Sequence, residues 1–404
     1  MKSKNIAWIV SRLDIVGGGE KLLGEGVRHY SNLGHNVFVY TWAYDSRSTY
    51  DGKYSFGELT VFEKVETSRQ NLMQHALSRA IHIFKIRKSL KDRNIDVVIC
   101  QSEYDAILVR LASIGLNIKT VLLSFGQTFQ FINDLAKYSF VFRKAFRKVF
   151  DLNPVYRGFI PEKAPRTTFL NRVFNELICF IRYHCVRQMD RIFVLSNQNK
   201  DEINFLYGVE PTVVRAAFNL ADFNYSTDRH LVREKYGIAS DALLYCSICR
   251  LETKKRVDVL IKAFNKASLP NAILVIGGVG EESHMLTRLI SELGNPNIKM
   301  LGLVPESDVR AIKYATDVYV SLDVANWGIA AVESLALGCK SIYARDIDLS
   351  NDIKAHSSII LTDPSVSAVS EAITKAAQLK ELPRINKELL LQHTWEHYFD
   401  SILS

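Results

Sequence analysis

The chain has 404 residues, of which 48% are hydrophobic and 23% charged, with a formal net charge of +8. That length exceeds what one core ordinarily organises, so two domains of about 200 residues are expected, and the composition excludes a mostly disordered chain. No run approaches the ~18 consecutive apolar residues of a membrane-spanning helix, and Arg12 and Asp14 interrupt the first apolar stretch, which argues against a secretory signal.

Residues 5–10 read as a buried first strand, followed by the loop DIVGGGEK, an amphipathic stretch to His29–Leu33 and a second strand in HNVFVYTW. Further strands are expected at Leu59–Phe62, Val97–Cys100 and Lys119–Ser124, with a helical pattern over Leu72–Leu90. A long basic and aromatic insertion, about 137–188, precedes a strand at Asp190–Ser196 and a helix in NQNKDEINFLYG. The segment VVRAAFNLADF has no helical period and reads as a crossing between domains. From Ala242 the alternation restarts, with strands in LLYCSICRL, AILVIGG, NIKMLGLV, DVYVSL and KSIYA. Helices are expected between them at Arg256–Ala267, Glu282–Leu293, Glu306–Tyr314 and Ile329–Leu337. Leu389–Ser404 reads as one final amphipathic helix. Apolar strands alternating with helices give an α/β class with two doubly wound parallel sheets. The expected boundaries are 1–218, 219–384 and a terminal helix at 385–404.

Charge is unevenly spread. Residues 1–220 carry 31 basic and 20 acidic side chains, a net +11, and the remainder 20 against 23, a net −3. Residues 137–191 alone hold 12 basic and 4 acidic residues, which equals the excess of the whole chain and points to one anionic partner surface. On a helical wheel over Tyr138–Phe150, Arg143, Lys144, Arg147 and Lys148 separate from Tyr138, Val141, Ala145, Phe146 and Val149. Residues 169–187 add a second apolar stretch flanked by arginines. Segregated faces of this kind suit an anionic membrane interface better than nucleic acid, which favours aromatics interleaved along a groove. A helix packed on the sheet with a solvated basic side is the plain alternative.

Six cysteines are scattered and read as reduced thiols. Cys246 and Cys249 form a C-x-x-C, but on a strand residues three apart face opposite sides, and no second pair completes a metal site. His29, His35 and His82 have no partner at metal spacing, and hydrolase or P-loop motifs are absent. Ligands of open parallel sheets bind beyond the carboxyl ends of strands, and four features fall on such loops. Gly18 and Gly19 lie in the first Gly-rich turn, where backbone N–H groups approach a phosphate or close a tight turn. A dinucleotide fingerprint would need glycine at position 22, which is Leu22. Arg250 and Lys255 suit a diphosphate leaving group, with ordinary solvated surface charge the plain alternative. Gly277 and Gly278 form a second Gly-rich turn. Trp327, Gly328 and Ile329 open a helix carrying Glu333, whose carboxylate suits a ribose diol or serves the helix terminus.

Taken in order, these segments resemble the GT-B nucleotide-sugar glycosyltransferases, specifically glycosyltransferase family 4. GGGEK resembles the family's first Gly-rich loop. Asn219-Leu220-Ala221-Asp222 resembles its interdomain Asn-Gly-Val-Asp segment, and CRLETKKRVD its Gly-Arg-Leu-(x)3-Lys-Gly-Val-Asp. NWGIAAVESLALGC resembles the donor motif with two glutamates, and TWEHYF the closing helix, which returns to the N-terminal domain. The resemblance implies an acceptor-side first domain with Gly126 and Gln127 at its site, and a nucleotide-sugar-binding second domain. Arg250 and Lys255 would bind the diphosphate and act catalytically, while Gly18, Gly19, Gly277, Gly278, Trp327, Gly328, Ile329 and Glu333 would hold the donor. Two family residues are replaced: the first donor glutamate falls on Ala325, with Asp323 two residues away, and the N-domain histidine on Phe125. The implied activity is retaining hexosyl transfer from a nucleotide diphosphate sugar to a glycan or lipid-linked acceptor, and the basic aromatic segment points to the cytoplasmic membrane face. No metal or other cofactor and no nucleic acid are expected, and the oligomeric state is left open. A weakened scaffold subunit and a GT-B sugar-nucleotide epimerase are the alternatives.

Overall fold

The structure, a computed structural model, describes residues 3–14, 17–46, 54–62, 72–125, 135–152, 168–216, 218–219, 221, 224–324, 327–379, 385 and 387–404. Contacts divide the chain into one unit of Met1–Val214 with Phe399–Ser404, and a second of Arg215–Tyr398.

The first unit runs β1 Asn5–Ile9, α1 Gly18–Asn32, β2 Asn36–Thr41, β3 Glu58–Val61, α2 Leu72–Asp92, β4 Val97–Cys100, α3 Glu103–Ser113 and β5 Lys119–Ser124. It continues with α4 Arg143–Leu152, α5 Phe169–Arg187, β6 Arg191–Val194, α6 Asn197–Tyr207 and β7 Thr212–Val213. Among the described residues these strands form a parallel sheet in the order β3-β2-β1-β4-β5-β6-β7. Ile6 of β1 stands opposite both Val37 and Val97. Every residue of β4 is buried, as an unbroken Val/Ile run covered on both faces requires. Ser102, Thr168 and Ser196 cap α3, α5 and α6 by accepting from backbone N–H groups in the first turn, and Gly208 closes α6 in the left-handed conformation.

The last residues of the chain pack into this unit. The Phe399 ring lies 5.5 Å from Tyr30 and 6.3 Å from Trp8, and the Tyr30 hydroxyl donates to the Phe399 carbonyl at 3.1 Å. A Cβ on Gly26 would stand 2.5 Å from Trp8 and 2.8 Å from Phe399, so α1 is bare there to admit both rings.

The second unit runs α7 Arg229–Lys235, β8 Leu243–Ile248, α8 Val257–Ala267, β9 Ala272–Gly277, α9 Ser283–Leu293, β10 Ile298–Gly302, α10 Glu306–Ala315 and β11 Val318–Ser321. Then follow α11 Ile329–Ala336, β12 Lys340–Ala344, α12 Asn351–Lys354, β13 Ile359–Thr362, α13 Val366–Gln378, α14 Lys387–Leu391 and the start of α15 Trp395–Leu403, which from Phe399 onward belongs to the first unit. Its described strands form a second parallel sheet, β10-β9-β8-β11-β12-β13. Two doubly wound parallel sheets are thus present, as the alternation of apolar strands and helices requires.

Three segments differ from the sequence reading. Residues 138–150 are not one helix: a 3-10 turn spans Leu135–Tyr138, and α4 begins at Arg143. Its apolar side is committed to the core, with Phe142, Phe146 and Val149 buried in the cluster that also holds Ile203 and Leu206 of α6. The terminal helix is broken into α14 and α15. Thr394 bridges to Phe218, and Trp395 N–H donates to the Phe218 carbonyl at 3.0 Å, which draws the backbone out of the helical ladder. The segment read as a plain crossing begins inside the short strand β7, at Val213.

Candidate functional site

Strand order reverses between β8 and β11, and the loops leaving β8, β9 and β11 carry the candidate residues of the second unit. Such a switch point opens a crevice beyond the strand ends.

The β8 loop is held against the β9 loop main chain to main chain. Cys249 N–H donates to the Gly277 carbonyl and Leu251 N–H to the Val279 carbonyl, both at 3.0 Å. A Cβ on Gly278 would meet the Cys249 carbonyl oxygen at 1.9 Å, and one on Gly280 the Leu251 oxygen at 2.2 Å. Gly278 also has φ +129°, so glycine is required there on two counts. This clamp fixes the stretch containing Arg250. Gly277 faces Val304 and Ile248 closely enough that its glycine is likewise accounted for by packing.

Arg250 is about half exposed, and its guanidinium donates to Glu252 at 2.9 Å. Glu252 also pairs with Lys254 at 2.7 Å. Burial works to raise the Glu252 carboxyl, but its pairs with Lys254 and Arg250 outweigh that and hold it below the ordinary range. Lys255 closes a 3-10 turn and reaches across to the β11 loop, where its ammonium pairs with Asp323. Burial works to lower the Lys255 pKa; the charge and hydrogen bond of Asp323 reverse this and leave it raised. Lys255 is therefore a fixed cation at neutral pH. Burial pushes the neighbouring Cys249 thiol up to about 11. The loops are joined again by Val324 N–H donating to the Lys254 carbonyl at 3.0 Å.

Arg256 takes the left-handed conformation, φ 51°, unusual for a residue with a side chain. Its guanidinium donates to the Leu322 carbonyl at 3.1 Å and to Asp346 at 2.9 Å, so it ties the start of α8 to the end of β11.

At α11, Gly328 occupies the N-cap, with Ile329 the first helical residue. A Cβ on Gly328 would stand 3.0 Å from Ile347. Trp327 is buried; its Nε1–H donates to the Ala216 carbonyl at 2.8 Å, and its ring lies 5.0 Å from His393. Glu333 accepts from Lys313 of α10 at 2.6 Å, and Lys313 is almost wholly buried. Lys313 also donates to the Ala330 carbonyl at 3.3 Å, which aims it at the first turn of α11.

In the first unit, Gly18 and Gly19 form the first turn of α1 beyond β1, preceded by Gly17 in extended conformation. Gly18 is exposed, and a Cβ on Gly19 would make only ordinary contact with Gln101. Phe125 follows β5 and is half-buried. Gly126, Gln127, Leu220, Asp222 and Ala325 lie outside the described residues.

Sequence reasoning placed Arg250 and Lys255 in one loop, as they are, but did not pair Lys255 with Asp323 or Glu333 with Lys313. A faint signal existed for Lys313, which falls at core spacing with Val309 and Ile312 in an otherwise amphipathic helix. The arrangement as a whole presents two carboxylate-held cations at one strand end and a helix N-terminus at the next, a set suited to an anionic group.

A model described as Glycosyltransferase Family 4 matches residues 16–223, more than half of the chain, and one described as Glycosyl transferases group 1 matches residues 228–388. An uncharacterized glycosyltransferase, MJ1069, of Methanocaldococcus jannaschii is 24% identical over 212 residues, 50% of this chain and 53% of that protein. The match thus spans about half the length of that curated relative. Among solved structures, Alr3699/HepE of Anabaena in complex with UDP and glucose aligns with a TM-score of 0.72 at 14% identity, over 98% of either chain. A glycosyltransferase of Rickettsia africae aligns with a TM-score of 0.67 at 16% identity, over 100% of this chain and 95% of that one. With two Rossmann-like parallel sheets and these matches, the chain belongs to glycosyltransferase family 4 and has the GT-B fold.

Proposed function

We propose that the protein is a retaining glycosyltransferase that moves a hexosyl group from a nucleoside diphosphate sugar to a glycan or lipid-linked acceptor at a cytoplasmic membrane face, without a metal. The observation that carries this reading is the pair of cations on the β8 loop, with Lys255 held across the switch point by Asp323 beside the N-terminal end of α11. The bond between the anomeric carbon and the diphosphate oxygen breaks as the acceptor hydroxyl approaches from the same face, and the hydroxyl proton passes to the departing diphosphate. Arg250 and Lys255 neutralise the charge growing on that leaving group, the task a metal performs in other transferases. Within the second unit, Glu333 accepts from the ribose hydroxyls of the donor. That HepE was crystallised with UDP and glucose supports a nucleoside diphosphate donor.

Incubation with UDP-, GDP- and ADP-hexoses tests the reading by following transfer, hydrolysis and interconversion. Transfer that persists in a chelator is expected. Conversion of the sugar nucleotide with no acceptor would favour an epimerase. Phe125, standing where an imidazole is expected, favours a second reading as a binding subunit, which predicts nucleotide binding with neither transfer nor hydrolysis.

A further inference from the structure

Helix α5 is apolar on both sides. Cys179, Arg182, Cys185 and Val186 face inward, and the two thiols and Val186 seat the helix on the first unit. At 100° per residue the opposite side collects Phe169, Leu170, Val173, Leu177 and Phe180 within a sector of about 100°. All five are between 51% and 83% exposed. The stripe extends for roughly 16 Å at 1.5 Å per residue. A surface helix ordinarily presents polar residues on that side, and a contiguous exposed apolar strip marks a surface that something covers.

Cations border the strip. Glu176 of α5 accepts from the Phe140 N–H at 3.0 Å, which brings Phe140, itself 73% exposed, beside the helix. The Arg143 guanidinium lies 4.5 Å from the centre of the Phe140 ring. From there α4 continues with Lys144, Arg147 and Lys148, all exposed because the opposite side of α4 is in the core. The apolar strip and the start of the basic row therefore meet at Phe140 and Arg143, on separate elements and not on two sides of one helix as the sequence pattern of residues 138–150 alone suggests.

We infer that the outer side of α5, with Phe140 and the basic row of α4, is a docking surface for an anionic lipid bilayer. Leucine, valine and phenylalanine enter the acyl boundary while Arg143, Lys144, Arg147 and Lys148 meet lipid phosphates. The charge row decides the occupant: a second copy of this chain would bring the same cations into opposition, whereas an anionic membrane complements them. The inference rests on the membrane-face part of the function proposed above and is independent of the transfer chemistry.

The test is co-sedimentation of the full chain with vesicles of phosphatidylcholine alone and of equal parts phosphatidylcholine and phosphatidylglycerol, alongside its mass in solution by light scattering. Binding is expected only to the anionic vesicles and weakens with salt. The combined substitution Leu170→Ser, Val173→Ser and Leu177→Ser removes it. Lys144→Gln with Arg147→Gln lowers the affinity by about 25-fold, or about fivefold for each cation at ~1 kcal/mol apiece. All five positions are exposed, and transfer to a water-soluble acceptor reports that each variant is folded. Vesicle binding that survives both sets overturns this surface while leaving membrane attachment intact. No vesicle binding by the unaltered chain overturns both. A serine variant that turns a dimer into a monomer assigns the strip to a second copy and overturns the proposal.

Discussion

Arg250 and Lys255 are both neutralised before any donor arrives, one by Glu252 and the other by Asp323. On the proposed function a diphosphate would therefore exchange one anionic partner for another, and the two cations differ in what their loss leaves behind. Arg250 is half exposed, and exposed pairs contribute little to stability. Arg250→Ala should lower kcat/KM about a hundredfold, the scale of one preorganised charge stabiliser, with an unchanged urea midpoint. Lys255→Met strands the buried Asp323 carboxylate and should also cost about 3 kcal/mol of stability. The double variant Lys255→Met with Asp323→Asn should regain most of that stability and none of the activity, which urea unfolding and a transfer assay separate. His393 gives a pH signature. Burial lowers its pKa to about 4, with Arg215 and His397 adding to the effect. The unfolded chain, titrating near 6.5, then binds more protons than the folded one, so stability is full above about 6.5 and falls as pH drops toward 4. Urea midpoints at pH 7 and pH 5 should differ less in His393→Leu than in the unaltered protein.

At the scale of elements, the β8 loop is built from backbone constraints that spacing alone only partly reveals. Arg256 stands in left-handed conformation where the family pattern carries glycine, a backbone cost of roughly 1 kcal/mol, offset by its bonds to Leu322 and Asp346. Arg256→Ala keeps the strain and loses the brace, whereas Arg256→Gly loses the brace and the strain together. The alanine variant should be less stable by about 1 kcal/mol, read from urea denaturation. Gly278→Ala should unfold the loop outright, since its Cβ would overlap the Cys249 carbonyl. Legibility follows the same division. Strands such as Val97–Cys100 were readable because an unbroken apolar run buried on both faces has few other uses. Arg250 and Lys255 were readable because they directly follow such a strand. The pairing of Asp323 with Lys255 was not, because they meet from 68 positions apart and only the adjacency of β8 and β11 joins them. The amphipathic pattern of residues 138–150 showed which side of the helix is apolar. It could not show that the core already occupies that side, nor that α5 carries the outward strip.

For the molecule as a whole, charge and chemistry divide between the units. The basic excess lies in residues 1–220, with the row on α4 and the exposed strip on α5, while the acidic remainder contains the paired cations at the switch point of the second sheet. On the function and docking surface proposed above, one unit would meet an anionic bilayer and the other an anionic donor. Raising ionic strength should therefore weaken vesicle binding strongly, because the α4 cations are exposed and readily screened. Donor affinity should change less, because Lys255 is largely shielded from solvent. The central claim is that Arg250 and Lys255 grip a diphosphate, and calorimetric titration of UDP, GDP and ADP into the unaltered chain, Arg250→Ala and Asp323→Asn addresses it most directly. One nucleotide should bind the unaltered chain and bind Arg250→Ala at least tenfold more weakly. Asp323→Asn, which frees Lys255 from its carboxylate, should bind it more tightly. Equal affinity across all three proteins would contradict the account.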